Sequence, residues 1–283
     1  MKLKYKVACA IIVLIVPFFA VLIQNRAREF LTFYALDIGQ GDALLFRTPH
    51  NRYILIDGGP YTNIVDELSD VLPFFHRTFD LVVLTHPDRD HLDGLLEVVD
   101  RYTVKNFLLT GVRKENAFYT ALIEKIRQKK IPVTFAKAAD DIVIDGLTLD
   151  ILYPLGLNIG GASDEINATS IIIEASFGDT ALLLTGDAPS ETEEVLMNTY
   201  SDITADILKV GHHGSKTSTS KEFVARVQPS HALISVGKDN TFGHPHPTVL
   251  GILRSVDAII FRTDELGRIA CNISMHSFDC GPD

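Results

Sequence analysis

The chain is poor in sulfur. It has only three cysteines, Cys9, Cys271 and Cys280, and no Cys-x-x-Cys spacing, so nothing in it argues for a thiolate-bound metal. Cys271 and Cys280 close the stretch CNISMHSFDC; they either pair as a disulfide in an exported protein or remain two free thiols. Positive charge is also scarce. Lys and Arg number 26 against 36 Asp and Glu, a net charge of −10, which argues against broad electrostatic adhesion to nucleic acid while leaving room for a local basic track. No internal repeat and no low-complexity linker interrupt the sequence, so solenoid and beads-on-a-string architectures are excluded.

What is present is an ordinary globular composition, 46% apolar over 283 residues, enough for one large domain or two small ones with a sizeable core. The first residues stand apart. MKLKYK is followed by a charge-free run from Val7 to Ile23, and then by Arg26 and Arg28. A signal-peptide core usually runs about 7–15 residues and a spanning helix about 17–25, so the run has spanning length. It lacks an amphipathic face, which weakens a reading as a buried core helix, and no small-x-small cleavage site follows it. Residues 1–28 are therefore expected to form an N-terminal hydrophobic helix that anchors the chain in a membrane, with a cleaved signal as the alternative. The preceding lysines orient the body, residues 29–283, outside the cytoplasm.

From residue 30 onward, short apolar runs alternate with helical stretches. LTFYALD, ALLFR and RYILID read as strands parted by turn residues, and FDLVVLT, KNFLLT, IPVTFA, DIVIDG, LTLDILYP, TSIIIEASF, TALLLTG, DILKV, HALISV, AIIFR and GRIACNI follow. Helices are expected near 64–72, 91–102, 116–130, 190–200, 220–227 and 247–255. Many strands with helices between them imply two sheets, each covered on its outer face. Several connections are too short for a crossover, so the sheets are not purely parallel.

Three strands end in ligand chemistry. LVVLT runs into His86-Pro87-Asp88-Arg89-Asp90-His91, where imidazoles and carboxylates crowd one strand end. A solvated turn does not require the pattern H-x-D-x-D-H, and the donor set suits zinc, manganese or iron. TALLLTGD brings Gly186-Asp187 to another strand end, and DILKVGHHG brings His212-His213. Either alone would be a common turn; three such ends imply one site assembled from several strands. Its carboxylates also inflate the negative charge count. LIDGG places Asp57, and GQGDA places Gln40 and Asp42, where they can orient a metal-binding histidine. GHPHP places His244 and His246 in a proline-flanked loop, readable as a surface turn or as a contact to substrate. HGSKTSTS offers Lys216 and a run of hydroxyls for a phosphate, with Ser218 or Ser220 as a cap for the next helix the alternative. Asp93 has no evident task.

Taken together, THPDRDH, LDIGQGDALLF, LIDGG, LLLTGD, KVGHHGSKTS and GHPHP resemble the hydrolase domain of ComEC-like DNA-uptake proteins, a branch of the metallo-β-lactamase fold, from about Leu31 to Arg268. THPDRDH looks like the H-x-H-x-D-H motif of that fold, with Asp88 in place of the second histidine. The resemblance implies an α+β chain folded as an αββα four-layer sandwich with two divalent metal ions, zinc or manganese, in the cleft between the sheets. By position, His86 and Asp88 would serve one ion, Asp90 and His91 the other, and Asp187 would bridge them. His212 is preferred over His213 to complete the second site, because it stands first after the strand. No histidine lies between His91 and Asp187, and Asn167 is expected beside the first ion instead.

Two departures stand out. Asp93-Gly94 occupies the place of a usual Gly-Gly pair, and the multi-helix channel of the uptake proteins has no counterpart here. The resemblance implies a phosphodiesterase or nuclease acting on a phosphodiester such as DNA, tethered to a membrane and working with DNA-uptake components. Asp90 would take a proton, His244 or His246 would assist the leaving oxygen, and Lys216 would grip phosphate. The alternatives are a phosphorylcholine-esterase-like hydrolase acting on cell-envelope polymers and a tethered metal-binding protein without catalysis.

Overall fold

The computed structural model describes residues 28–60, 63–157, 159–160 and 165–283. The apolar N-terminal run, expected to form an anchor helix, lies outside the described residues. Among the described residues no helix is long and apolar enough to cross a membrane.

Two mixed sheets dominate. One has the order β17 (Phe278–Pro282), β16 (Ile269–Ile273), β1 (Leu31–Ala35), β2 (Leu44–Arg47), β3 (Tyr53–Ile56), β5 (Leu81–Leu84), β7 (Phe107–Leu109), β8 (Val133–Phe135). The other has the order β15 (Ile259–Arg262), β14 (His231–Ile234), β13 (Ile207–Lys209), β12 (Thr180–Leu184), β11 (Ile172–Phe177), β10 (Leu147–Tyr153), β9 (Asp141–Ile144). Helices α1 (Ile64–Val71), α2 (Arg89–Arg101) and α3 (Ala117–Gln128) cover the first sheet. Helices α4 (Ser190–Thr199), α5 (Lys221–Val227) and α6 (Pro247–Arg254) cover the second.

Strand periodicity explains the layering. Alternate residues point to opposite faces, so Phe33, Phe46, Ile54, Val83 and Leu108 meet Leu149, Ile173, Leu182 and Leu233 between the sheets. Their neighbours in sequence, such as Leu45, Leu55 and Val82, turn outward onto the helices. Strands buried on both faces read as unbroken apolar runs, as YILI and LVVL do. The outcome is the expected αββα sandwich.

Several elements differ from expectation. Helix α2 begins at Arg89, so Asp90 and His91 lie in its first turn rather than in an extended segment. The short pair β4 (Thr78–Phe79) and β6 (Thr103–Val104), the single-turn α7 (Thr263–Leu266) and β17 went unanticipated, because such short elements carry too few residues to show a period. Strand β17 is held by a disulfide between Cys271 and Cys280, which sit opposite each other across β16 and β17. That resolves the alternatives left by the sequence.

The functional consequence lies in strand direction. Strands β3, β5 and β7 run parallel in one sheet, and β12, β13 and β14 run parallel in the other. Their carboxyl ends carry Asp57, His86, Asp187 and the His212-His213 pair to a shared edge. A backbone bond from Ile171 to the carbonyl of Thr85, at 3.0 Å, ties the two sheets there.

Candidate metal centre

Asp187 is the hub. It follows Gly186, whose φ of +53° is a left-handed conformation that glycine adopts at little cost. Its backbone N–H donates to Ser170 Oγ at 3.1 Å. Around its carboxylate stand His91 Nε2 at 3.3 Å, His213 Nε2 at 3.5 Å, His212 Nε2 at 3.7 Å and His86 Nε2 at 3.9 Å. Four imidazoles thus aim the same nitrogen at one carboxylate.

Hydrogen bonds behind the rings set that aim. His91 Nδ1 donates to Asp57 Oδ2 at 2.8 Å, and His213 Nδ1 donates to the carbonyl of Ser235 at 3.0 Å. Thr85 Oγ1 donates its one proton to Asp57 Oδ2 at 2.6 Å, so at 3.0 Å from His86 Nδ1 it must accept. In each case Nδ1 carries the proton and Nε2 is left as the ligand atom. Asp57, His212 and His213 all have left-handed φ values, 61°, 47° and 53°, so backbone strain is spent to point them at the centre.

The donors fall into two groups that share Asp187. Asp90, His91, Asp187 and His213 each offer an atom, and these atoms lie within 4.8 Å of one another. On the other side are His86, Asp88 (4.0 Å from His86 Nε2), His212 and Asn167, whose amide nitrogen is 3.4 Å from His212 Nε2. The Nε2 atoms of His86, His91 and His213, together with Asp187 Oδ1, are buried with no hydrogen-bond partner. Buried polar atoms are rarely left so. Three such imidazole nitrogens around one such carboxylate fit divalent metal binding and no ordinary packing arrangement.

The electrostatics agree. Burial alone would lift the Asp187 carboxyl, but the charges of His213 and His91 outweigh it and hold Asp187 well below its ordinary value. Burial would lower His91 and His213, yet Asp187 and the carboxylates behind the rings raise His213 to about 10 and His91 well above its usual range. His86, lacking a carboxylate at its back, is lowered to about 4, by burial first and then by His91. The pocket therefore holds protons where it would otherwise hold cations, and metal entry must displace them.

Several sequence-based assignments change. His213, not the preferred His212, sits with Asp90 (3.5 Å) and His91; His212 lies on the Asn167 side. The left-handed backbone at both residues reverses the order that simple distance from the strand suggests. His246 Nδ1 accepts the backbone N–H of Thr248 and caps α6, so that nitrogen is already engaged. His244 turns inward, its ring 5.7 Å from that of His212, with Nδ1 buried and unpartnered. Of the hydroxyls in 213–220, Ser218 bonds Ala188, Thr219 bonds Gly211, Ser220 caps α5 and Ser215 meets Thr217 at 3.0 Å, while Lys216 and Thr217 are exposed. Lys216 lines a cavity of about 1030 Å³ with Asp88, Arg113, Asn167 and His212. Gln40 Oε1 accepts from Gly237 N at 3.2 Å and holds a loop rather than a histidine. Asp93 pairs with Arg89 at 2.9 Å, one turn back on α2.

The sequence reading missed other participants. Lys209 is fully buried and bonds Asp42 Oδ2 at 2.7 Å; Asp42 Oδ1 in turn lies 3.3 Å from His213 Nδ1. The signal was available: Lys209 shares the parity of Ile207 on β13, which faces the inter-sheet core. Lys114 pairs with Asp88, and the buried carboxylate of Glu193 accepts from the backbone of Thr219 and Ser220. Those partners lie 26 or 27 residues away in sequence and left no local pattern.

Known proteins resemble the chain to different extents. Residues 36–238 match the family model described as the metallo-beta-lactamase superfamily. ComE operon protein 3 of Bacillus subtilis (strain 168) is 32% identical over 83% of the chain, and Recombination protein 2 of Haemophilus influenzae is 31% identical over 93%. The chain spans about a third of the length of these relatives, 32% of each. Among solved structures, the metallo-beta-lactamase fold protein YhfI from Bacillus subtilis superposes with a TM-score of 0.54 at 11% identity, over 83% of this chain and 96% of that one, a likeness of fold alone. The match over most of its length, on a sandwich whose strand ends converge as described, means that the chain belongs to the metallo-beta-lactamase superfamily and stands within it beside ComEC-like competence proteins.

Proposed function

We propose that the chain is a dinuclear metal-dependent phosphodiesterase that cleaves nucleic acid, with DNA the leading substrate, outside the cytoplasm. The observation that carries this reading is the set of buried, unpartnered ligand atoms around Asp187, beside a cavity that Asp88, Asn167 and His212 line together with Arg113 and Lys216. Asp90, His91 and His213 would hold one ion, His86, Asp88, His212 and Asn167 the other, and Asp187 both. A pair of zinc or manganese ions, when bound, supplies Lewis acidity and a source of hydroxide near neutral pH.

The chain's own residues do the rest. Asp57, Thr85, Asp42 and the Ser235 carbonyl keep the histidines in one tautomer and orientation. Asp90, lowered to about 2 because its bond to His213 outweighs the effect of burial, stays ionised and suits a ligand better than the proton acceptor expected from the resemblance. His244 is lowered, first by burial and then by the neighbouring His212, so it remains neutral near pH 7. It is held at both ends of its backbone by Asn240, at 2.7 Å and 3.1 Å, and its free Nδ1 is suited to meet a leaving oxygen. Lys216 and Arg113 on the cavity wall would pair with phosphate oxygens. The likeness to competence proteins favours DNA over other diesters. The Cys271–Cys280 bond is in keeping with an oxidising compartment and with the anchor expected at the N-terminus.

The test is hydrolysis by the Mn²⁺- or Zn²⁺-loaded chain of single- and double-stranded DNA and RNA, bis(p-nitrophenyl) phosphate and p-nitrophenyl phosphorylcholine. Activity on nucleic acid that disappears in Asp187→Ala, with the fold intact by circular dichroism, supports the reading. A metal-loaded protein inert on every nucleic acid refutes it, and preference for the phosphorylcholine ester points to envelope polymers instead.

A further inference from the structure

A second cavity, of about 900 Å³, lies between α3 and the strands β7 and β8, and it runs into the first: Arg113, Lys114 and Glu115 line both. Its floor is apolar. Tyr119 and Ile123 come from one face of α3 at four-residue spacing, and Val133 and Phe135 come from β8 at the sheet edge. Its rim is cationic, because Arg127 continues the α3 face and Lys130 follows at the helix end. Arg113, Arg127 and Lys130 are all exposed. The opposite side of α3 is used differently: Lys125 pairs with Asp100, and Lys129 donates to the carbonyl of Asp100 at 3.0 Å. Cations near a helix C-terminus suit the helix dipole, which accounts for Arg127 without a ligand. It accounts neither for Arg113, before the helix begins, nor for an apolar cleft joined to the metal centre. Lys114 is taken up by Asp88, and Glu115 and Glu124 also line the cleft, yet Arg113, Arg127 and Lys130 still outnumber them in a chain of net charge −10.

We propose that this cleft is a binding track for single-stranded nucleic acid. It would seat unstacked bases on the Tyr119–Ile123–Val133 floor and backbone phosphates on Arg113, Arg127 and Lys130, delivering the scissile phosphate to the metal centre. An apolar floor with a cationic rim is what single strands need, since every base has a stacking face and every linkage a charge. A duplex keeps its bases stacked inside and has no use for the floor. The inference rests on the phosphodiesterase reading and adds to it a substrate class and a route of entry.

The test compares a single-stranded 12-mer oligonucleotide, its blunt duplex and bis(p-nitrophenyl) phosphate on the full metal-loaded chain. The small diester reaches only the metal cavity. Arg127→Ala/Lys130→Ala should raise KM for the single strand about tenfold and flatten its log–log salt dependence by about 1.4, at about 0.7 per lost phosphate contact. Hydrolysis of the small diester should be unchanged. Val133→Asp, on an exposed edge and so tolerated by the fold, should raise the same KM and spare the small diester. Wild-type KM in both variants, equal losses on both substrates, or a duplex cleaved as well as the single strand would overturn the proposal. Should the wild type hydrolyse nothing, the phosphodiesterase reading falls. Anisotropy of a fluorescein-labelled 12-mer then decides the track by itself: weaker binding to Arg127→Ala/Lys130→Ala upholds it, and equal or absent binding overturns it.

Discussion

Lys209→Met removes the cation buried behind His213. The wild-type pair is sealed, with Lys209 0% and Asp42 1% exposed, and its Nζ–Oδ2 distance is 2.7 Å. Removing one partner of a buried pair strands the other charge, at a cost of about 3–5 kcal/mol. A domain of this size loses roughly 2–4 °C of Tm per kcal/mol, so a fall of about 6–20 °C is expected. Replacing both partners, in Lys209→Met/Asp42→Leu, should recover most of that loss, because no uncompensated charge remains.

The pH dependence has a definite sign. Burial by itself would raise Asp42, but Lys209 and then His213 outweigh it, so the carboxyl sits below its unfolded value of about 3.9. Such a group stabilises the fold above that unfolded value, and the contribution fades only as pH falls through the lower folded pKa. Without Lys209 the strongest counterweight to burial is lost, and the folded pKa rises. The penalty is then complete at neutral pH and shrinks on acidification, so the variant's deficit should be larger at about pH 7.5 than at about pH 5. Urea unfolding of both proteins across that range measures it. A deficit under about 1 kcal/mol, one that grows on acidification, or a double variant as unstable as the sum of the singles would refute the reasoning.

Other outcomes can be checked with similar means. Gly94 lets α2 lie against the Gly58 peptide, and a Cβ there would overlap the Gly58 carbonyl oxygen, so Gly94→Ala should destabilise by about 2–4 kcal/mol in chemical unfolding and weaken metal retention, because His91 rides on the same helix. Elemental analysis should separate the two donor groups: His213→Ala should lose the ion of the Asp90–His91 side, whereas His212→Ala should keep it and lose the one beside Asn167. Cys271→Ser should cost about 2–3 kcal/mol, the entropy of closing a loop with a sequence separation of 9, read as the same loss when the wild type is reduced.

Much of this was legible along the chain. Apolar runs marked the central strands, since a strand buried on both faces has no polar alternation to blur it. The candidate ligands His86, Asp88, Asp90, His91 and Asp187 could be named because each stands at a strand end or a helix start, where local pattern and chemistry coincide. Composition and spacing thus determined the layers and the candidate donors, while the hydrolytic class was implied by the resemblance of the motifs. Only the tertiary structure decided which histidine stands where: left-handed φ values at His212 and His213 swing the later residue into the Asp90–His91 group and the earlier one toward Asn167. It also brought Lys209 onto Asp42 across 167 residues and Lys114 onto Asp88, and it joined the α3 cleft to the metal cavity. The physical reason is the same throughout. Periodicity and capping act over a few residues and leave a local trace, whereas a charge pair between two sheets or a cavity shared by two loops depends on distances that exist only once the sandwich has closed.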